Sequence, residues 1–182
     1  YKRQLDNSAT TPVCSEAVEA MKTAVTELWG NPSSLHQKGI EADEMLENAR
    51  SNVARRLFCR DDEVYFTSGG TESNNLAVQG AAHAMRRRGR RIVTTSVEHP
   101  SIDETVKHLE NEGFEVIRLG VDKNGRISER ELFEAVTPDT ILVSIMAVNN
   151  ETGTIQPVEA ARTAVTRAKS PALVPVSYTH LR

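Results

Sequence analysis

Apolar positions recur along this chain in two alternating rhythms. Between residues 15 and 28, Ala17, Val18, Met21, Val25 and Leu28 share one face at helical spacing, and Ser15 offers an N-cap. Gly30-Asn31-Pro32-Ser33-Ser34 breaks that period. A longer helical rhythm runs through 35–57, carried by Ala42, Met45, Leu46, Ala49, Val53 and Leu57. Short runs rich in β-branched residues follow at 64–67, 91–96, 115–119 and 141–146, and these predict strands. Helical patterns near 71–87, 101–112 and 128–136 separate them, and a last one lies near 158–168.

Alternation of strand and helix implies parallel pairing through helical crossovers. The run Thr140-Ile141-Leu142-Val143-Ser144-Ile145-Met146 is almost wholly apolar, as a strand buried on both faces must be. The expectation is a three-layer αβα domain of the α/β class with a mainly parallel sheet, preceded by a helical N-terminal arm. Residues 1–60 read as that arm and its helices, and 61–169 as a partial large domain. The stretch 170–182, with two prolines and no acid where a buried strand is due, reads as foreign to the gene.

Composition narrows the function classes. With 182 residues, 38% of them hydrophobic, the chain can bury an ordinary core. Its 22 basic and 25 acidic residues leave a net charge of −3, which argues against nucleic acid as a partner. The run Arg86-Arg87-Arg88-Gly89-Arg90-Arg91 falls at a predicted helix end, where basic side chains compensate the dipole. No window reaches the ~18 apolar residues of a membrane span. Cys14 and Cys59 are far apart and in no metal or redox spacing, which suggests a reduced, cytoplasmic setting. The histidines show no paired spacing to cysteines or carboxylates, so no metal site is expected.

Candidate chemistry gathers just after the strands, where open parallel sheets bind ligands. Ser68-Gly69-Gly70-Thr71 joins a predicted strand to a helix, aiming backbone N–H groups and the positive end of a helix dipole at one point. A phosphate fits there; a plain connection capped by Ser68 is the alternative. His99, held extended by Pro100, can stack on a flat heterocycle or move protons, or simply cap the helix near Ser101. Asn149-Asn150-Glu151-Thr152-Gly153 follows the most buried strand, and its amides suit a ring hydroxyl or carboxylate, or an Asx turn. The glycine spacing is neither Walker A nor GxGxxG, which leaves a nucleotide-binding Rossmann enzyme a distant alternative.

Taken in order, these motifs resemble the cysteine desulfurases, the NifS/IscS-like members of the class V aminotransferase family. The resemblance is carried by Leu5-Asp6-Asn7-Ser8-Ala9-Thr10-Thr11-Pro12, Gly30-Asn31-Pro32-Ser33-Ser34-Leu35-His36 and Phe66-Thr67-Ser68-Gly69-Gly70-Thr71-Glu72-Ser73-Asn74-Asn75. It continues through Glu98-His99 and Leu142-Val143-Ser144-Ile145-Met146-Ala147-Val148-Asn149-Asn150-Glu151-Thr152-Gly153, covering roughly 4–168. It implies a fold-type I enzyme using pyridoxal 5′-phosphate. By that resemblance Gly70 and Thr71 hold the phosphate, His99 stacks on the ring and assists proton transfer, and Asn150 bonds the ring hydroxyl. Ala9, Thr10 and Asn31 are carried over to the substrate side.

The resemblance further implies conversion of L-cysteine to L-alanine, with sulfur passed to an enzyme persulfide and then to an acceptor such as an iron–sulfur scaffold protein. It implies a homodimer. In the family, the lysine that holds the cofactor and the persulfide cysteine come later, and Lys2, Lys22, Lys38, Lys107, Lys123 and Lys169 are not in that context. The chain as given is therefore expected not to turn over. A selenocysteine lyase or another class V enzyme, and a non-catalytic scaffold domain that kept the sheet, are the alternatives.

Overall fold

The computed structural model describes residues 11–177. The chain divides into two compact units, Tyr1–Phe66 and Thr67–Arg182. In the first, helix α1 spans Ser15–Thr26 and α2 spans Gln37–Leu57, followed by a short 3-10 turn at Asp61–Glu63. Ser15 is not the cap of α1: Cys14 holds that position without a side-chain bond, and the Ser15 hydroxyl turns to the carboxylate of Glu16. Helix α2 starts at His36, whose ring accepts from the Gly39 N–H.

The loop between α1 and α2 is pressed onto the start of α2. A Cβ on Gly30 would lie 1.9 Å from the Lys38 carbonyl oxygen, and one on Gly39 would lie 2.1 Å from that of Ser34. Only glycine permits backbone to approach backbone this closely. Asn31 closes the loop as an Asx turn, its Oδ1 accepting from Ser33 N at 2.9 Å.

The strand predicted at 64–67 does not form. Val64 is extended, but its carbonyl accepts the Arg50 guanidinium and its N–H bonds back to Asp61, so neither group joins a ladder. Local β-propensity without a pairing partner gives extended chain rather than sheet.

The second unit is the α/β layer structure. Helix α3 (Gly70–Met85) leads to strand β1 (Arg91–Thr95), α4 (Pro100–Asn111) to β2 (Glu115–Leu119), and α5 (Glu129–Ala135) to β3 (Thr140–Val143). The sheet order is β2-β1-β3, all parallel, with Val93 opposite Ile117 and Val143. Successive residues point to opposite faces. Ile92 and Leu142 join Val78, Ala82, Ile102, Val106 and Leu109 of α3 and α4 in one core. Val93 and Val143 join Leu132, Ala161 and Ala164 in the other, beneath α5 and α6 (Val158–Arg167). The sheet is thus covered on both faces, as the apolar run at 140–146 required.

That run is not one strand. Ser144 interrupts it, leaving β4 as Ile145–Met146, which pairs in parallel with β5, Val176–Ser177. Ser144 N still donates to Val93 O, so the direction is unbroken while the neighbour changes. The prolines at 171 and 175 do not keep the 170–177 stretch off the sheet: Leu173 N donates to Ile141 O at 3.1 Å, and Leu173 O accepts from Val143 N at 2.9 Å.

Candidate functional site

The glycine turn and the two loops beyond β1 and β4 carry the sequence-predicted site residues of the second unit. Gly69 is the N-cap of α3, in extended conformation, and Gly70 and Thr71 open the helix. The first N–H groups of a helix have no carbonyl one turn back to bond. Thr71 is exposed there, and a Cβ on Gly69 would meet no atom within 4 Å, so the space over the helix start is open. Ser68 does not cap the helix. Its N–H and hydroxyl both donate to the Glu72 carboxylate, at 2.7 and 2.6 Å, and this pulls that carboxyl below its ordinary range.

Thr71 and His99 line one cleft of about 540 Å3 between α3 and α4, together with Asn75, Ser101, Thr105 and His108. Its walls are stitched by polar side chains. Asn74 donates to Ser101 Oγ at 2.8 Å, and Thr105 Oγ1 donates to Asn75 Oδ1 at 2.7 Å. His99 is the N-cap of α4, accepting at Nδ1 from Ser101 N at 3.1 Å, with Ser101 Oγ at 2.8 Å. The ring is thereby held at one edge in a fixed orientation, half-buried at the cleft wall.

Asn150 sits half-buried on the neighbouring loop. Its predecessor Asn149 is buried and organises that loop: Oδ1 accepts from Glu151 N at 3.0 Å, Thr152 N at 2.9 Å and Thr152 Oγ1 at 3.1 Å. Asn149 Nδ2 then donates to Val97 O at 3.2 Å, two residues before His99. The His99 turn and the Asn150 loop are therefore one hydrogen-bonded assembly. Asn31 belongs to the first unit, in its Asx turn. Ala9 and Thr10 lie outside the described residues.

Three participants stood in the sequence reading only as members of motifs, without a site role of their own: Asn149, Ser101 and Glu98. The Glu98 carboxyl turns inward, and burial pushes it up to about 7, partly offset by bonds from Met146 N and Thr95 Oγ1. The available signal was position, since a carboxylate at the end of a buried strand has no water around it. Among the described residues no cluster of three His, Cys, Asp or Glu side chains could hold a metal, and no helix is long and apolar enough to cross a membrane.

Residues 3–176 match the aminotransferase class-V family, and the chain belongs to it. It is 54% identical over 154 residues to a NifS/IcsS protein homolog of Lactobacillus delbrueckii subsp. bulgaricus, covering 85% of this chain and 40% of that protein. A cysteine desulfurase IscS of Methanosarcina thermophila is 50% identical over 155 residues, covering 85% and 38%. Among solved structures, a NifS-like protein superimposes with a TM-score of 0.89 at 44% identity, covering 94% of this chain and 47% of its own. The chain spans about 40% of the length of the curated relatives it matches.

Proposed function

We propose that this chain is the cofactor-cradling portion of a pyridoxal-phosphate-dependent cysteine desulfurase. The observation that carries the reading is the convergence of Thr71 and His99 on one cleft, with the Asn150 loop bonded to the His99 turn. The donor set suits the group. An open helix start with a hydroxyl suits a phosphate dianion, an edge-anchored imidazole suits a flat ring, and a loop amide suits a phenolic oxygen. A relative at 50% identity bearing the desulfurase name supports the same choice.

When bound, the group supplies an electron-withdrawing ring that stabilises negative charge at the substrate carbon. The chain's own residues then do the positioning. Gly70, Thr71 and the helix N-terminus hold the phosphate against the positive end of α3. His99, fixed at Nδ1 by Ser101, presents its ring to the cofactor and serves proton transfer there. Asn150 holds the ring oxygen, and Asn149 keeps Asn150 in place. The reaction is L-cysteine to L-alanine, with sulfur carried as a persulfide to an acceptor such as an iron–sulfur scaffold, in a cytoplasmic homodimer.

The test is the protein expressed from its complete gene, given L-cysteine and, separately, L-selenocysteine. The account expects alanine from cysteine and loss of bound pyridoxal phosphate on Thr71→Ala with His99→Ala. Turnover of selenocysteine alone points to a lyase. No cofactor retained by the unsubstituted protein refutes the reading.

A further inference from the structure

We propose that Glu98 is a positioning residue whose carboxyl group clamps the turn carrying His99 to the loop carrying Asn150. The ligand's identity rests on the pyridoxal-phosphate reading; the clamp itself rests on geometry. Ladder pairing between β1 and β3 ends at Val93 and Val143, with one further bond from Ser144 N to Val93 O. Beyond that point the two chains continue as Thr95 and Met146, and the Glu98 carboxyl takes the place of the missing ladder acceptor. Glu98 Oε1 accepts from Met146 N at 2.8 Å and from Thr95 Oγ1 at 3.0 Å. Asn149 answers from the other side by donating to Val97 O. Two ties, one through the Glu98 side chain and one through the Asn149 side chain, both donated from the Met146–Asn149 segment, thus join the segments that carry the two candidate cofactor contacts.

Glu98 Oε2 is buried without a hydrogen-bond partner among the described residues. A buried unpaired carboxylate oxygen is costly, so burial favours the neutral acid. The end of β1 and the following turn contribute Thr94, Thr95, Ser96, Val97 and His99, and the opposing segment contributes Ile145 to Asn150; among these described residues the one ionisable side chain is His99, and its Nδ1 is turned to Ser101. A neutral carboxyl keeps Oε1 as the acceptor for Met146 N, and so does a glutamine amide.

Amide 1H–15N spectra of the full chain, read with pyridoxal 5′-phosphate affinity, test the clamp. In the unsubstituted chain the Met146 amide moves with pH around a midpoint of about 7. In Glu98→Gln that movement vanishes, while the Asn149 and Asn150 amides stay in place and affinity holds within about three-fold. In Glu98→Ala the Met146, Asn149 and Asn150 amides leave their positions and affinity falls by about ten-fold or more. Should the alanine variant not fold, Glu98→Asp, one methylene shorter, is expected to displace the same amides. If truncation leaves those amides and the affinity untouched, or if glutamine weakens binding as much as alanine, the clamp is refuted. A Met146 amide that titrates in a chain that takes no pyridoxal phosphate supports the clamp and removes the cofactor reading.

Discussion

His99 caps α4 with the same ring that is proposed to face the cofactor, and substitutions can separate the two roles. As N-cap of α4 it accepts from Ser101 N, a bond whose loss costs about 1 kcal/mol. Asparagine caps equally well but offers no aromatic face. His99→Asn is therefore expected to keep the thermal midpoint within about 2 °C of the parent and still lose cofactor affinity, whereas His99→Ala loses both. Calorimetry beside equilibrium dialysis reads the two effects. Glu98 gives a stability prediction with a definite sign. Its carboxyl is raised from the ordinary 4.5 to about 7 in the fold, so the folded chain binds this proton more tightly than the unfolded one. The contribution is complete below about pH 4.5 and is lost as pH rises through about 7, by about 3 kcal/mol in all. Denaturant unfolding at several pH values should show that slope, and Glu98→Gln should flatten it. Neither Glu98 nor Asn149 was singled out from sequence. Acids are read by default as solvated, and of two adjacent asparagines the spacing cannot say which turns inward.

Elements were legible where period and composition agreed. Helices α2, α3 and α4 and strands β1 and β2 came from strong patterns, because an amphipathic or wholly apolar stretch has one way to bury itself. The predicted strand at 64–67 failed because strand formation needs a neighbour, and Arg50 took the Val64 carbonyl instead. The split of the 141–146 run at Ser144 was equally hidden, since it reflects where β1 stops and β5 begins. The glycine loop, by contrast, is written in the residues. Gly39→Ala would drive a methyl group into the Ser34 carbonyl oxygen, 2.1 Å away. Rigid backbone cannot yield cheaply, so about 2–3 kcal/mol of destabilisation is expected, seen as a drop of the urea midpoint. Gly69→Ala, whose Cβ meets nothing within 4 Å, should leave that midpoint unchanged while it crowds the space above α3 and weakens phosphate binding.

At the scale of the molecule, the second unit is a sheet whose two faces are sealed by helix pairs, leaving the strand ends to carry polar chemistry. Leu142 is fully buried between β1 and the α3–α4 layer; Leu142→Ala should cost about 2–5 kcal/mol, measured by thermal unfolding. The three-layer arrangement was legible because parallel strands demand crossovers and two-sided burial demands apolar runs. The strand-end rule pointed to His99, which follows β1, but not to Thr71, since the strand predicted before it does not form; the stitching through Asn74, Ser101 and Thr105 was not legible either, because those bonds join residues about thirty positions apart. The most direct measurement is a crystal structure of the protein from its complete gene grown with pyridoxal 5′-phosphate. The account predicts phosphate oxygens within hydrogen-bond reach of Thr71 Oγ1 and the N–H groups opening α3, with the ring against His99 and its hydroxyl at Asn150. A phosphate bound elsewhere, or a ring that touches neither side chain, contradicts it.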